Sequence, residues 1–439
     1  MAEDLGKSGV LALNQLSYQL PPDLSVAVSR SVTSQFFQTQ AVAAGSSAVC
    51  IWNTGSSFVN PRQSFLILDV ENKSRNTSGA QPVSAWFGAH GGSAANLINS
   101  MTILSRSGVV LEKIDRSNQL ASIKALYQHD DGWREYGPGS AMGMTDTNTL
   151  AWTGLPAGTG TIGGIVRFVI PLSHISPMFD SIETLLPAQL CSGLRFEIQF
   201  ESAKTALVCG VGTDVPSYEI KQCRIQTESY LLSDLVMRSL SEQSASAGLE
   251  IVCKSAHNNF SSRASSSLTL DMGKSVSRAL GFMMKERPSP AGLTAELSRF
   301  AAASLDAVSY VEEFQARVGS LYFPQQSTRA GPGGARGSSP ELYVTALRAF
   351  GKFYQGNNIS AGVSEKEYRT GSAVFAQDLE RSSVQQLSGI PLSNSRTLSI
   401  NATWGGSGNG VPAVTTEVDF FLSFVQLIRV FSSNVVVEI

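Results

Sequence analysis

The sequence predicts an all-β protein built as two β-rich halves in tandem. Three observations carry this. Runs with the two-residue period of strands dominate the chain, helical periodicities are few, and Gly-rich turns separate the runs. With 439 residues, 42% hydrophobic and 8% aromatic, the chain can bury a sizeable core and is not a disordered composition. Many short strands with turn punctuation imply sandwiches or jelly rolls, which also manage exposed sheet edges.

In chain order, SFLILDVE from Ser64 to Glu71 is nearly continuously apolar, as for a strand buried on both faces. GIVRFVIPL (Gly164 to Leu172) sets Val166, Phe168 and Ile170 against Arg167 and Val169. PLSHISPMFDSIETLLPAQLCSGLRFEIQFESA (Pro171 to Ala203) ends in a clean alternation, with Phe196, Ile198 and Phe200 facing one way. YEIKQCRIQTESYLL (Tyr218 to Leu232) alternates with a phase slip, as a β-bulge gives. SEQSASAG (Ser241 to Gly248) is small and polar and is the best linker candidate.

Strands resume with LEIVCKS, SSLTLDM, SVSRALGFMMKE and RTLSINATW, and close with VDFFLSFVQLIRVF, whose Val418, Phe420, Leu422 and Phe424 share one face. Helical spacing is ambiguous in ANLINSMTIL (Ala95 to Leu104) and longer in the stretch from Leu293 to Phe314. It is clearest in SPELYVTALRAFGKF, with Ser339 as N-cap, Pro340 in the first turn and Leu342, Ala346, Ala349 and Phe353 on one face. Gly-rich TRAGPGGARG and WGGSGNGVP read as exposed loops, the first as a candidate for the outward surface.

The chemistry-bearing residues form no catalytic pattern. Formal net charge is -2 and no run of Lys and Arg occurs, which argues against a basic arm that neutralises nucleic acid. Cys50, Cys191, Cys209, Cys223 and Cys253 are odd in number and far apart, with no CxxC pair, and read as reduced core residues. His90, His129, His174 and His257 lack metal-ligand spacing. GTGTIGG (Gly158 to Gly164) contains G-x-G-x-x-G, but a strand follows it where the dinucleotide fingerprint needs a helix, so it reads as a loop. HDDGW (His129 to Trp133) reads as a solvated loop, and Glu312 and Glu313 as a charged helix face. No G-x-S-x-G or H-E-x-x-H occurs. Neither a signal peptide nor a membrane span is expected, so the N-x-S/T matches at Asn72, Asn76, Asn259, Asn358 and Asn401 are expected to go unused. No catalytic, cofactor or metal site is expected.

Five stretches in order resemble one family, the double jelly-roll major capsid proteins of polinton-like viruses, virophages and adintovirus-type elements, with adenovirus hexons more distant. They are GGSAANLINSMTILSRSGVVLEKIDRSNQLASI (Gly91 to Ile123), the opening IPL through GLRFEIQF, ARVGSLYFPQQ (Ala316 to Gln326), GSAVFAQDLERSSVQQLSGIPL (Gly371 to Leu392) and the closing VDFFLSFVQLIRVFSSNVVVEI. The resemblance spans most of residues 45–439.

It implies two tandem eight-stranded jelly rolls with a few short helices in the connections. A flexible N-terminal arm would cover 1–27, the first roll 28–240 and the second 241–439. It further implies a homotrimeric, pseudo-hexagonal capsomer tiling an icosahedral shell around a DNA genome. Its partners would be neighbouring capsomers, penton and minor capsid proteins, with no sequence-specific nucleic-acid contact. The protein would reside in the virion, after synthesis in the host cytoplasm or nucleus. His174, Glu183 and Cys191 would then be structural or interface residues. The arm would extend beneath the capsomer and tie neighbours together. The chief rival is a carbohydrate-binding or carbohydrate-cleaving β-sandwich, which would want clustered aromatics for sugar stacking; Trp52, Trp86, Trp133, Trp152 and Trp404 are scattered in sequence and neither favour nor exclude it.

Overall fold

The computed structural model describes residues 27–79, 82–88, 91–144, 154–155, 165–209, 213–289, 310–330, 340–350, 363–368, 372–380, 389–405, 416–431 and 434–439. Sixteen principal strands form two sandwiches. The first comprises β1 (Ala27–Phe36), β2 (Ser47–Ile51), β3 (Phe58–Asn72), β4 (Ile98–Leu104), β5 (Val110–Ile114), β6 (Ile165–Pro171), β7 (Arg195–Phe200) and β8 (Tyr218–Leu232). The second comprises β9 (Leu249–Arg263), β10 (Ser267–Met272), β11 (Val276–Pro288), β12 (Tyr310–Val318), β13 (Leu321–Arg329), β14 (Phe375–Asp378), β15 (Leu398–Gly405) and β16 (Thr416–Val430).

In the first sandwich the large sheet runs β1-β8-β3-β6 and the small one β2-β7-β4-β5. In the second, the orders are β9-β16-β11-β14 and β10-β15-β12-β13. Adding eight to each strand number converts one sandwich into the other. All pairings are antiparallel. Two four-stranded sheets in this order are the two Greek keys of a jelly roll.

The alternation of each strand decides which side faces the partner sheet. In β7, Phe196, Ile198 and Phe200 are buried and Arg195 and Gln199 exposed. Trp52 packs against Phe196 (ring centroids 4.8 Å) and Phe179 (6.0 Å) in the first core. Phe282 does the same with Phe420 (5.3 Å) and Phe314 (6.4 Å) in the second. Each such ring contributes about 1.5–3 kcal/mol by leaving water. β8 shifts register between Ile220 and Gln222 and between Thr227 and Glu228, as its phase slip predicts. The five cysteines are free and buried, in agreement with their reading as core residues.

Three longer helices fill connections: α1 (Ser117–Tyr127) between β5 and β6, α2 (Asp234–Ser246) between the sandwiches, and α3 (Pro340–Ala349) between β13 and β14. α3 agrees with its predicted periodicity, with Leu342 and Ala346 buried.

Three expectations are corrected. The supposed linker at Ser241 is helical as far as Ser246, because Val236, Met237 and Leu240 of α2 pack against Phe58, Tyr230 and Leu232. Residues 310–314 belong to β12, not to a helix, so Glu312 and Glu313 lie on a strand, where Phe314 enters the core opposite Phe282. In the stretch from Ala95, only the first turn is helical (Ala94–Leu97), and the β-branched residues after it form β4. The predicted loop at Gly158, His90, Trp152, Asn358, Phe353, the arm before residue 27 and most of both Gly-rich loops lie outside the described residues.

Candidate functional site: an ionic seam between two sandwiches

The densest polar chemistry lies where the first sandwich meets the second. α1 is buried along its whole length, because it lies between the two blocks. Its N-cap, Arg116, takes a left-handed backbone conformation (φ 55°), which costs a non-glycine residue about 1–2 kcal/mol. From there its guanidinium donates to Glu417 (2.8 Å) and Asp419 (2.7 Å) on β16 and lies 3.6 Å from the centre of the Phe260 ring. Arg287 of β11 donates to the same two carboxylates. One arginine from each sandwich therefore holds one pair of acids. The Asp419 side chain is 0% exposed and that of Arg287 2%, so neither has water as an alternative partner.

Beside them, Lys285 is fully buried and donates to Ser122 Oγ of α1 (2.8 Å). Burial, reinforced by Arg287 and opposed by Asp419, pushes its ammonium down to about 7. Glu112 of β5 is also enclosed. Burial raises its carboxyl to about 7, against the opposing pull of Ser176, the Met178 amide (3.0 Å), Lys124 and Ser255. Gln426 donates to the Leu111 carbonyl (2.9 Å). Tyr127 donates to the Ser372 carbonyl (2.5 Å) and stacks on Phe350 (4.7 Å). The seam is thus tied by hydrogen bonds, ion pairs and a ring stack.

The histidines singled out from the sequence are placed as follows. His129 and His174 come together, Nε2 to Nδ1 at 3.3 Å, with His129 stacked 3.5 Å above Trp133. Sequence spacing missed this pair because 45 residues separate its members. Burial, then His129 and Lys124, hold His174 well below the usual imidazole range. The nearby Lys124 is bonded to Asp180 (2.9 Å) and the Ser173 carbonyl (2.6 Å). Among the described residues no three His, Cys, Asp or Glu side chains converge as a metal site. HDDGW is not the solvated loop expected: Asp131 pairs with Arg134 and Asp130 accepts from the Trp133 amide (2.8 Å), bracing a short helical turn at Gly132–Tyr136 on which Trp133 is half-buried against His129.

His257 is half-buried on β9, and Glu183 pairs with Arg62 at the surface (3.1 Å). Trp52 and Trp404 are core residues, and no tryptophan among the described residues stands as an exposed sugar-stacking platform. Two open clefts, of about 400 and 390 Å³, lie along the seam. The second is lined by both signs of charge, including Asp115, Arg116, Glu201, Arg287 and Glu417.

No family profile and no curated protein sequence matches the chain. Solved structures do. PBCV-1 VP54, as fitted into a cryo-EM reconstruction of the virophage Sputnik, superposes with a TM-score of 0.62 at 11% identity, covering 96% of this chain and 99% of that one. The Faustovirus major capsid protein gives 0.59 at 9% identity, covering 96% and 94%. The mavirus major capsid protein gives 0.53 at 10% identity, covering 97% and 93%. The fold is the double jelly roll of viral major capsid proteins. At about a tenth identity the likeness is one of architecture. The double jelly roll here is continuous along the chain, with α2 joining its two blocks.

Proposed function

We propose that this chain is the major capsid protein of an icosahedral DNA virus. Three copies form a pseudo-hexagonal capsomer, and capsomers tile the shell. The observation that carries this is the repeat of eight strands, block upon block, matched over almost the full length of both chains to major capsid proteins. The physical argument concerns shape. Three chains of two similar blocks present six blocks, which make a roughly hexagonal tile, and a tile must be rigid. The buried ion pairs and stacked rings at the seam supply that rigidity.

In this reading residues 28–240 and 241–439 are the building blocks, and 1–27 form an arm that ties neighbours together. The role is structural rather than enzymatic, as the mutual pairing of the seam charges supports. Partners are other copies, penton and minor capsid proteins. The site of residence is the virion, after synthesis in the host cell. Near-zero net charge suits a tile packed beside copies of itself.

Light scattering of the purified full chain tests the reading. A stable species of three times the chain's 46.7 kDa, or closed shells in the electron microscope, is expected. A monomer at every concentration overturns it.

A further inference from the structure

The charged cleft of about 390 Å³ at the seam has polar groups that the pairing of the seam does not use. It opens at the end of the sandwiches where β7 ends, β4 starts and β5 hands over to α1. β1 and β9 start at the opposite end. Both blocks line the cleft. The first gives Asn99, Ser100, Gln199 and Glu201, and the second gives Phe260 and Glu417.

The side chains there are fixed on one another. Asn118 donates to Glu201 (3.0 Å), and the other Glu201 oxygen accepts from the Ser202 amide (2.9 Å). Arg116, held by Glu417 and Asp419, covers one side of the Phe260 ring, yet Phe260 is still 52% exposed. Ser100 donates to Gln199 Oε1 (3.3 Å), while Gln199 Nε2 has no acceptor among the described residues. Asn99 makes no side-chain hydrogen bond to any of them. Asp115 is engaged through one oxygen, by Lys113 at 3.5 Å.

We propose that this cleft binds a neutral saccharide of one or two rings. The inference adds a glycan-binding activity to the shell role and does not depend on it.

The argument is one of matching valence. A sugar hydroxyl both donates and accepts, so it is met by donors and acceptors standing side by side. Asn99 and Gln199 carry both kinds of atom, Asp115 adds an acceptor, and the exposed part of the Phe260 ring can take the C–H face of a sugar. Side chains already locked together lose little freedom on binding, which favours a small polar ligand. The volume lies at the lower end of the range for small-molecule sites.

Other ligand classes fit less well. The lining sets three carboxylates, Asp115, Glu201 and Glu417, against two arginines, both committed to acids. Phosphate, sulfate and sugar acids are therefore repelled. For a metal ion, no three His, Cys, Asp or Glu side chains converge among the described residues. A single aromatic ring is too little wall for an apolar molecule.

The test is binding of the full chain to an array of neutral, sialylated and sulfated oligosaccharides, followed by calorimetric titration with the best-bound neutral disaccharide. Wild type is compared with N99A/Q199A and with the control Ser107→Ala, from the other cleft of the seam. Wild type and control are expected to bind neutral glycans. The double variant is expected to bind about tenfold more weakly or worse, with wild-type circular dichroism. If it loses its β-sheet spectrum, Asn99→Ala takes its place under the same criteria. Binding of no glycan, binding of sugar acids alone, or unchanged affinity in the folded variant overturns the site. Light scattering of the same samples keeps the two readings apart. A trimer without glycan binding leaves the capsid reading standing, and a lasting monomer that binds neutral glycans through Asn99 and Gln199 leaves only the site.

Discussion

β8 and β16 are the same strand made twice, each central in its large sheet, and they differ in what lies behind them. Behind β16 stands α1, and the strand is buried on both faces from Val418 to Leu422. On β8 burial alternates over much of the strand, and Gln222, Arg224 and Gln226 on its outward side are half-exposed. The outward side of β16 is not simply apolar, since it keeps Glu417 and Asp419. Covering the sheet therefore demanded a cation for each acid, which Arg116 and Arg287 provide. A covered polar position is tolerated only when it is paired, here by Arg116 from the covering side and by Arg287 from the neighbouring strand.

The comparison is sharpened first by removing the acid. Asp419→Ala leaves two arginines sharing the single carboxylate of Glu417 beside a buried gap and is expected to lower unfolding stability by about 3–5 kcal/mol in denaturant titration. A loss below about 1 kcal/mol would show that the seam charges are solvated in solution.

The next effect is on pH dependence. Glu112 is raised to about 7 from 4.5, so in that window the folded chain keeps a proton the unfolded chain has released. Its contribution to stability therefore falls as pH rises from 4.5 to 7, by on the order of 3 kcal/mol. Glu112→Gln is expected to remove that slope, and an unchanged profile would contradict the burial assigned to the carboxyl. Lys285, lowered from 10.5 to about 7, has the opposite sign. Between pH 7 and 10.5 the unfolded chain binds the extra proton, so this contribution to stability rises with pH. Lys285→Met should flatten that rise, as thermal melts at pH 7 and 9.5 would show.

The smallest effect is expected at the first sandwich's own pair. Arg167 donates to both Asp69 oxygens (2.6 and 2.7 Å), but its side chain is 55% exposed. Asp69→Ala is expected to change stability by less than about 1 kcal/mol in the same titration. A loss as large as that from Asp419→Ala would mean that this face too is covered in solution.

The strands were legible because their information is local. RFEIQF shows its buried face by alternation alone, and β3 shows itself in SFLILDVE as a nearly continuous apolar run, with Leu66, Ile67, Leu68 and Val70 all buried. α2 was missed because its Ser-rich end lacks an apolar stripe, and it is held by contacts of Val236, Met237 and Leu240 with Phe58 and Tyr230. β12 was missed because Ala, Leu and Glu upstream carry helical spacing up to its start, while Phe314 is held by Phe282 across the sandwich. The seam left no signal in the sequence. Arg116, Lys285 and Asp419 look like ordinary surface charges until the fold brings them together. The stack of His129, Trp133 and His174 was invisible for the same reason.

The spacing of the seam pair also sets a clock. Asp419 follows Arg116 by 303 residues. At about 5–20 residues per second, a ribosome needs roughly 15–60 s to travel from one to the other. During that interval α1 has emerged without the strand that covers it, and Arg116 has no carboxylate on β16 to meet. A chain cut short before β16 keeps the bonds of Ser122, Tyr127 and Ser181 to the second block but lacks the paired acids, so the charged part of the seam closes last in synthesis.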